Sequence, residues 1–203
     1  MGWLAKRRIK TGPTAIFPKK PEKSQLLALI LLADPEARQD RDDILAADCR
    51  IHAPVEVEPE LTGGEFDTPW ACRVEAEGPL PLDFFDRYLA EGLALRLEGL
   101  TVCRGEVVDP ADEDEKFLVL LPVRPQPEEL EELLGEAEDR DYGVVEYKDA
   151  VLIPAADPSP AGRTLEPYSS EPCRIELEDR EVALALAERF QGIAVDRWRF
   201  RID

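Results

Sequence analysis

The chain has 203 residues, 44% of them hydrophobic and 34% charged, a composition that supports a folded core and excludes wholesale disorder. Its net charge of −19 is segregated: residues 1–23 carry seven basic side chains (Lys6, Arg7, Arg8, Lys10, Lys19, Lys20, Lys23) against Glu22 alone. Removing these from the totals of 25 and 44 leaves 18 basic and 43 acidic residues in 24–203, a balance of −25, which repels phosphate backbones and makes nucleic acid an unexpected partner for the body.

Residues 1–23, rich in Pro, Lys and Arg and without periodicity, predict a basic flexible N-terminal arm. Its Trp3, Leu4, Ile9, Ile16 and Phe17 interleave with the basic groups, so docking on an anionic partner is the functional alternative to plain disorder. Leu26–Ala33 is a continuous apolar run with the look of a central strand covered on both faces. Asp34-Pro35-Glu36 then reads as a helix start, with a helix to about Ala47. Arg50–Glu58 alternates toward a strand, Thr62-Gly63-Gly64 marks a turn, and Trp70–Glu77 is a return strand with Cys72, Val74 and Ala76 on one face. Leu82–Glu91 is a helix closed by Gly92, and Leu93–Val108 contains a further strand.

Asp109–Lys116, acidic and proline-containing, reads as a linker. Beyond it, Phe117–Val123 predicts a strand, Pro127–Asp139 a helix with Leu130, Leu133, Leu134 and Ala137 on one face, and Tyr142–Ile153 a strand or hairpin. Cys173–Glu178 is a return strand, Glu181–Phe190 a helix capped by Gly192, and Ile193–Ile202 a last strand.

The chain repeats itself. Cys72-Arg73-Val74-Glu75-Ala76-Glu77 returns as Cys173-Arg174-Ile175-Glu176-Leu177-Glu178 at an offset of 101, and Gly92-Leu93-Ala94-Leu95 as Gly192-Ile193-Ala194-Val195 at an offset of 100. Asp86-Arg87-Tyr88 is echoed by Glu188-Arg189-Phe190 between them. Three matches in one order point to an internal duplication. Pro35-Glu36 aligned with Pro127-Glu128 gives an offset of 92, which implies about nine inserted residues, placed in Pro154–Pro172. Each half reads β-α-β-β-α-β, so the expected fold class is α+β: a tandem duplication of a ferredoxin-like sandwich, with repeats at 24–108 and 117–203. That fold hosts many functions and transfers none.

Chemistry is sparse. Cys49, Cys72, Cys103 and Cys173 fall singly, without the paired spacing of a zinc or disulfide framework, and read as buried thiols in a reducing cytoplasm. Lys19–Lys23 followed by Leu26–Ala33 imitates a signal peptide, but the apolar part is short, and no run is long enough to span a bilayer. His52 is the only histidine, so any His-based triad or two-His metal site would have to use it. Asparagine is absent, and no Gly-rich phosphate loop, G-x-S-x-G turn or H-E-x-x-H helix occurs. No catalytic residue, metal or cofactor is therefore assigned. Base stacking on the sheet would need exposed aromatics, whereas Arg73, Glu75, Glu77, Arg174, Glu176 and Glu178 hold the outward positions of the return strands.

One candidate site remains: Arg197, Arg199 and Arg201 alternate with Trp198 and Phe200 on the predicted edge strand, and with Lys6, Arg7 and Arg8 of the arm they form the expected anion- or partner-binding set. The functional expectation is a non-catalytic acidic protein-binding module, such as an inhibitor, immunity-type, adaptor or assembly subunit, that recruits a basic protein by charge steering. The alternative is a small-molecule or anion sensor with its ligand in the cleft between the repeats.

Overall fold

The computed structural model describes residues 9–47, 49–77, 85–139, 143–154 and 172–203. The chain is mixed α+β with two antiparallel sheets and divides into two compact units, Met1–Asp114 and Glu115–Asp203. The expected insertion at 154–172 and the basic residues Lys6, Arg7 and Arg8 lie almost wholly or wholly outside the described residues.

In the first unit the strands are β1 (Thr14–Phe17), β2 (Arg38–Asp40), β3 (Asp43–Ala46), β4 (Cys49–Ile51), β5 (Val55–Glu56), β6 (Trp70–Ala76), β7 (Leu100–Cys103) and β8 (Glu106–Val108). Its longer helices among the described residues are α1 (Lys23–Ala33) and α2 (Phe85–Arg96). The sheet runs β2-β3-β4-β6-β1-β7-β8, with β5 added beside β6. The second unit holds β9 (Phe117–Leu121), α3 (Pro127–Leu134), β10 (Glu138–Asp139), β11 (Val145–Tyr147), β12 (Ala150–Pro154), β13 (Cys173–Leu177), α4 (Arg180–Arg189) and β14 (Ile193–Asp196). Its sheet runs β10-β11-β12-β13-β9-β14. Taken across the sheet, β10, β11, β12, β13, β9 and β14 occupy the places of β2, β3, β4, β6, β1 and β7 in the first.

Residues 14–23 are not an arm. Thr14–Phe17 is a central strand between β6 and β7, and all four residues are buried. Ile16 packs with Ile9, Ala71 and Val102 on one face, under Val57, Leu61 and Phe66. The buried Thr14 hydroxyl donates to the Ile9 carbonyl at 2.9 Å. Burial on both faces removes the alternation by which a strand is recognised, and the flanking Pro13 and Pro18 give the segment the composition of a tail.

Leu26–Ala33 is helix, not strand. Leucine and alanine are strong helix formers, and Leu26, Ile30 and Ala33 turn one side into the core. The expected helix after Asp34 is instead the β2–β3 hairpin, turned at Arg41 in a left-handed conformation (φ 55°). Asp34 closes α1 rather than opening a helix. Its buried carboxylate accepts from the backbone N–H of Glu36 at 3.0 Å and of Ala47 at 2.6 Å, tying the helix end to the β3–β4 turn.

The helix ends also differ from expectation. Gly92 lies buried inside α2, and the left-handed residue that ends the helical path is Glu98 (φ 51°), just before Gly99. After α4 that conformation falls to Gln191 (φ 53°), just before Gly192. Both glycines are required by close packing: a Cβ would lie 2.2 Å from the Ile16 carbonyl oxygen at Gly99, and 2.7 Å from that of Leu120 at Gly192. The helix from Pro127 stops at Leu134, before Gly135 with its positive φ (83°), and Leu133 is solvent-exposed.

The return strands follow the expected alternation. Cys72 and Val74 are buried between half-buried Arg73 and Glu75, as Cys173, Ile175 and Leu177 are beside Arg174 and Glu176. Pairing partners match as well: Cys49↔Ala76 and Ile51↔Val74 correspond to Ala150↔Leu177 and Leu152↔Ile175 at the same offset of 101. Along the central strand the partners differ by two residues. Gly99 and Gly192 make Ile16 correspond to Leu120, yet Ile16 faces Ala71 while Leu120 faces Arg174.

Candidate functional site

The terminal arginines are not on an extended strand. After β14 the chain reverses: the buried Asp196 carboxylate accepts from the N–H of Trp198 and of Phe200, each at 3.0 Å, and Phe200 returns its carbonyl to the Asp196 N–H at 2.9 Å. Arg199 occupies the left-handed region (φ 70°), and Arg201 meets Val195 in an isolated antiparallel bridge. Trp198 and Phe200 are core residues, 5% and 0% exposed, and the Arg197 guanidinium lies 5.6 Å from the Trp198 ring centroid. The aromatics thus serve packing, while Arg197 and Arg199 are half-buried and Arg201 is exposed, carried on a turn and an isolated bridge instead of an extended strand.

A polar constellation not foreseen from the sequence stands on the first sheet. Strand pairing sets Arg50 on β4 opposite Leu45 of β3 and Glu75 of β6. The Arg50 guanidinium reaches Glu77 at 2.5 Å, Asp40 at 2.8 Å and Asp43 at 3.3 Å. Its own pKa is raised by hydrogen bonds to Asp40 and Glu77, and hydrogen bonding from Arg50 holds the Asp40 carboxyl below the ordinary value of 3.8. His52, the next outward residue, places Nε2 at 2.9 Å from Glu75 and Nδ1 at 3.5 Å from Asp43. Each ring nitrogen of the sole histidine therefore lies beside a carboxylate. The side chain thereby links β6 to the β2–β3 hairpin. Sequence alternation put His52 on a polar face, but its partners depend on the β4–β6 register, for which the sequence carries no marker.

Beside His52 lies a partly open cavity of about 320 Å³. Its apolar lining comes from Leu26 of α1, Ile44 of β3 and Ile51 of β4, and its polar lining includes Lys20, Glu22, Lys23 and Asp42. Lys23 Nζ donates to the Arg41 carbonyl, and Lys20 Nζ sits 4.9 Å from the Trp70 ring centroid. The approach to α1 is built from Pro18-Lys19-Lys20-Pro21-Glu22. In the second unit Pro122-Val123-Arg124-Pro125-Gln126 leads into α3 in the same way, at an offset of 104, so Lys20 corresponds to Arg124 and buried Leu26 to buried Leu130. This match replaces the alignment of Pro35 with Pro127. The signal was present in the spacing of the prolines, but it was hidden by the assignment of residues 1–23 to a tail.

Three of the four thiols are withdrawn from solvent. Burial pushes Cys72 up to about 12 and Cys173 up to about 11, and Cys49 is buried as well, leaving Cys103 half-exposed. Among the described residues no group of three or more His, Cys, Asp or Glu is placed to hold a metal ion, and no helix is long and apolar enough to cross a membrane. Comparisons with protein-family models, with curated proteins and with solved structures found no match.

Proposed function

We propose that the chain is a tandem of two ferredoxin-like units serving as a non-catalytic protein-binding module. In both units the first strand lies between the strands preceding and following the second helix, an order that supports the ferredoxin-like reading. Each adds a hairpin (β2–β3 or β10–β11) beyond the remaining edge. The shared pairing at an offset of 101, the paired glycines and the repeated proline loop support descent from one unit.

The observation that carries the binding role is the outward side of α3. Glu128, Glu129, Glu131 and Glu132 are all exposed, while Leu130 anchors the helix to the core. Arg189 reaches across to this side, at 2.7 Å from Glu132. With 43 acids in residues 24–203, this helix offers a dense field for steering a basic protein into contact. The engagement of His52 by two carboxylates agrees with a role other than catalysis.

The test is affinity capture on the immobilised full chain at about 0.05 M and about 0.5 M salt, with identification of what binds. A discrete basic protein, held at low salt, released at high salt and lost with the Glu128→Lys/Glu131→Lys variant, is the expected result. Capture of no discrete protein, or capture indifferent to salt and to the variant, would overturn the proposal.

A further inference from the structure

The cavity beside α1 has a lining that the protein-binding role does not use. Its volume of about 320 Å³ falls at the small end of ligand sites, which begin near 300 Å³. Three kinds of chemistry meet there. Leu26, Ile44 and Ile51, each 2% exposed or less, form an aliphatic floor. Lys20 and Lys23 supply cations to the lining, and the Arg41 carbonyl takes a single proton of the Lys23 ammonium, which has three to give. Glu22 and Asp42 supply carboxylates.

We infer that this cavity is a binding site for a small aliphatic zwitterion, an α-amino acid with a branched apolar side chain. The ligand carboxylate meets Lys20 and Lys23 in charge-assisted hydrogen bonds, its ammonium meets Glu22 and Asp42, and its side chain covers the aliphatic floor. A simple anion would satisfy the lysines but would face both carboxylates, and a simple cation the reverse. Two formal charges of each sign in one lining, beside apolar side chains, fit a molecule carrying one of each sign and an apolar body. The cation before the helix is present in both units as Lys20 and Arg124, which marks it as a fixed part of the loop. The neighbouring polar wall differs: strand pairing places His52 where the second unit has Ile153. The inference therefore concerns the first unit.

The experiment is calorimetric titration of the full chain with L-leucine, 4-methylpentanoate and isopentylamine, alongside inorganic phosphate. The expected result is saturation by leucine at one site per chain, with at least about tenfold weaker binding of each compound that lacks one of the two charges. The Lys20→Gln/Lys23→Gln variant, altered only at the surface and checked for an unchanged melting curve, should weaken leucine by at least about tenfold. No saturation up to about 10 mM leucine would overturn the inference. So would equal binding of 4-methylpentanoate or phosphate, or a variant that binds leucine as the wild type does. None of these results bears on capture of a basic protein through α3, so the two proposals fail separately.

Discussion

Replacing Gly99 by alanine tests the packing of the first unit at its most constrained point. A Cβ there would lie 2.2 Å from the carbonyl oxygen of Ile16 and 3.2 Å from the Phe17 ring, where ordinary contact begins at 3.4 Å. The obstacle is the backbone of the central strand, which cannot rotate aside as a side chain would, so β7 and β1 must part by roughly an ångström. Overpacking of this kind costs about 1–3 kcal/mol, and contact with backbone puts Gly99 at the upper end. The stiffer unfolded chain of the alanine variant returns about 0.4–1 kcal/mol, leaving a net loss of about 2 kcal/mol. For a unit of this size that corresponds to about 8–16 °C in the midpoint of its thermal transition, readable by calorimetry or circular dichroism. Gly63→Ala is the comparison: nothing lies within 4 Å of its Cβ, so its cost comes from its left-handed conformation (φ 67°) alone. A Gly99→Ala midpoint within about 0.5 kcal/mol of the wild type would refute the packing described here.

Arg50→Met should lower stability near neutral pH, because Asp40, Asp43 and Glu77 lose their shared cation. Asp40 has a depressed folded pKa, so its share is present above the ordinary 3.8 and is lost as pH falls through the folded value. The gap between variant and wild type in urea midpoint should therefore narrow toward about pH 3; a gap that widens on acidification would contradict the network. At the alkaline end the sign reverses. Cys72 and Cys173 are acids with raised folded pKa values of about 12 and 11, so the unfolded chain releases these protons first and stability declines above about pH 9. Cys72→Ala should flatten that decline. A thiol reagent at neutral pH should label Cys103 promptly and the three buried thiols only on unfolding; rapid native labelling of Cys72 would argue against its burial. Asp34→Ala should cost about 1–3 kcal/mol in denaturant titration, since two backbone N–H groups lose a buried acceptor, and an unchanged midpoint would mean that water replaces it.

The sequence exposed the parts of the fold whose burial alternates, whereas capping residues misled at Asp34 and Gly92. β13 and the Cys72–Glu75 part of β6 alternate between buried and half-buried residues, and the helix expected from Glu181 is present as α4, whose first turn is capped by Asp179. What escaped were segments whose burial is two-sided or whose partner is remote. β1 has four buried residues between prolines and offers no period to count. α1 is apolar on nearly every side, and such a short run does not separate helix from strand. The β2–β3 hairpin turns at Arg41, without the glycine or asparagine that would announce a left-handed residue. The cavity was hidden for a related reason: Lys20 meets Ile51 and His52 only after α1, β3 and β4 have folded, and no local spacing encodes that meeting.

The two-residue difference in how β1 and β9 meet their neighbours sets a rule for what these central strands tolerate. Sliding by an even number leaves Ala15 and Phe17, or Val119 and Leu121, directed to the side they already occupy. Deleting a single residue from Thr14–Phe17 would turn the strand inside out and strand Thr14 in the wrong compartment, whereas removing a matched pair would only shorten the seam. Length variation here is quantised, and its unit is two.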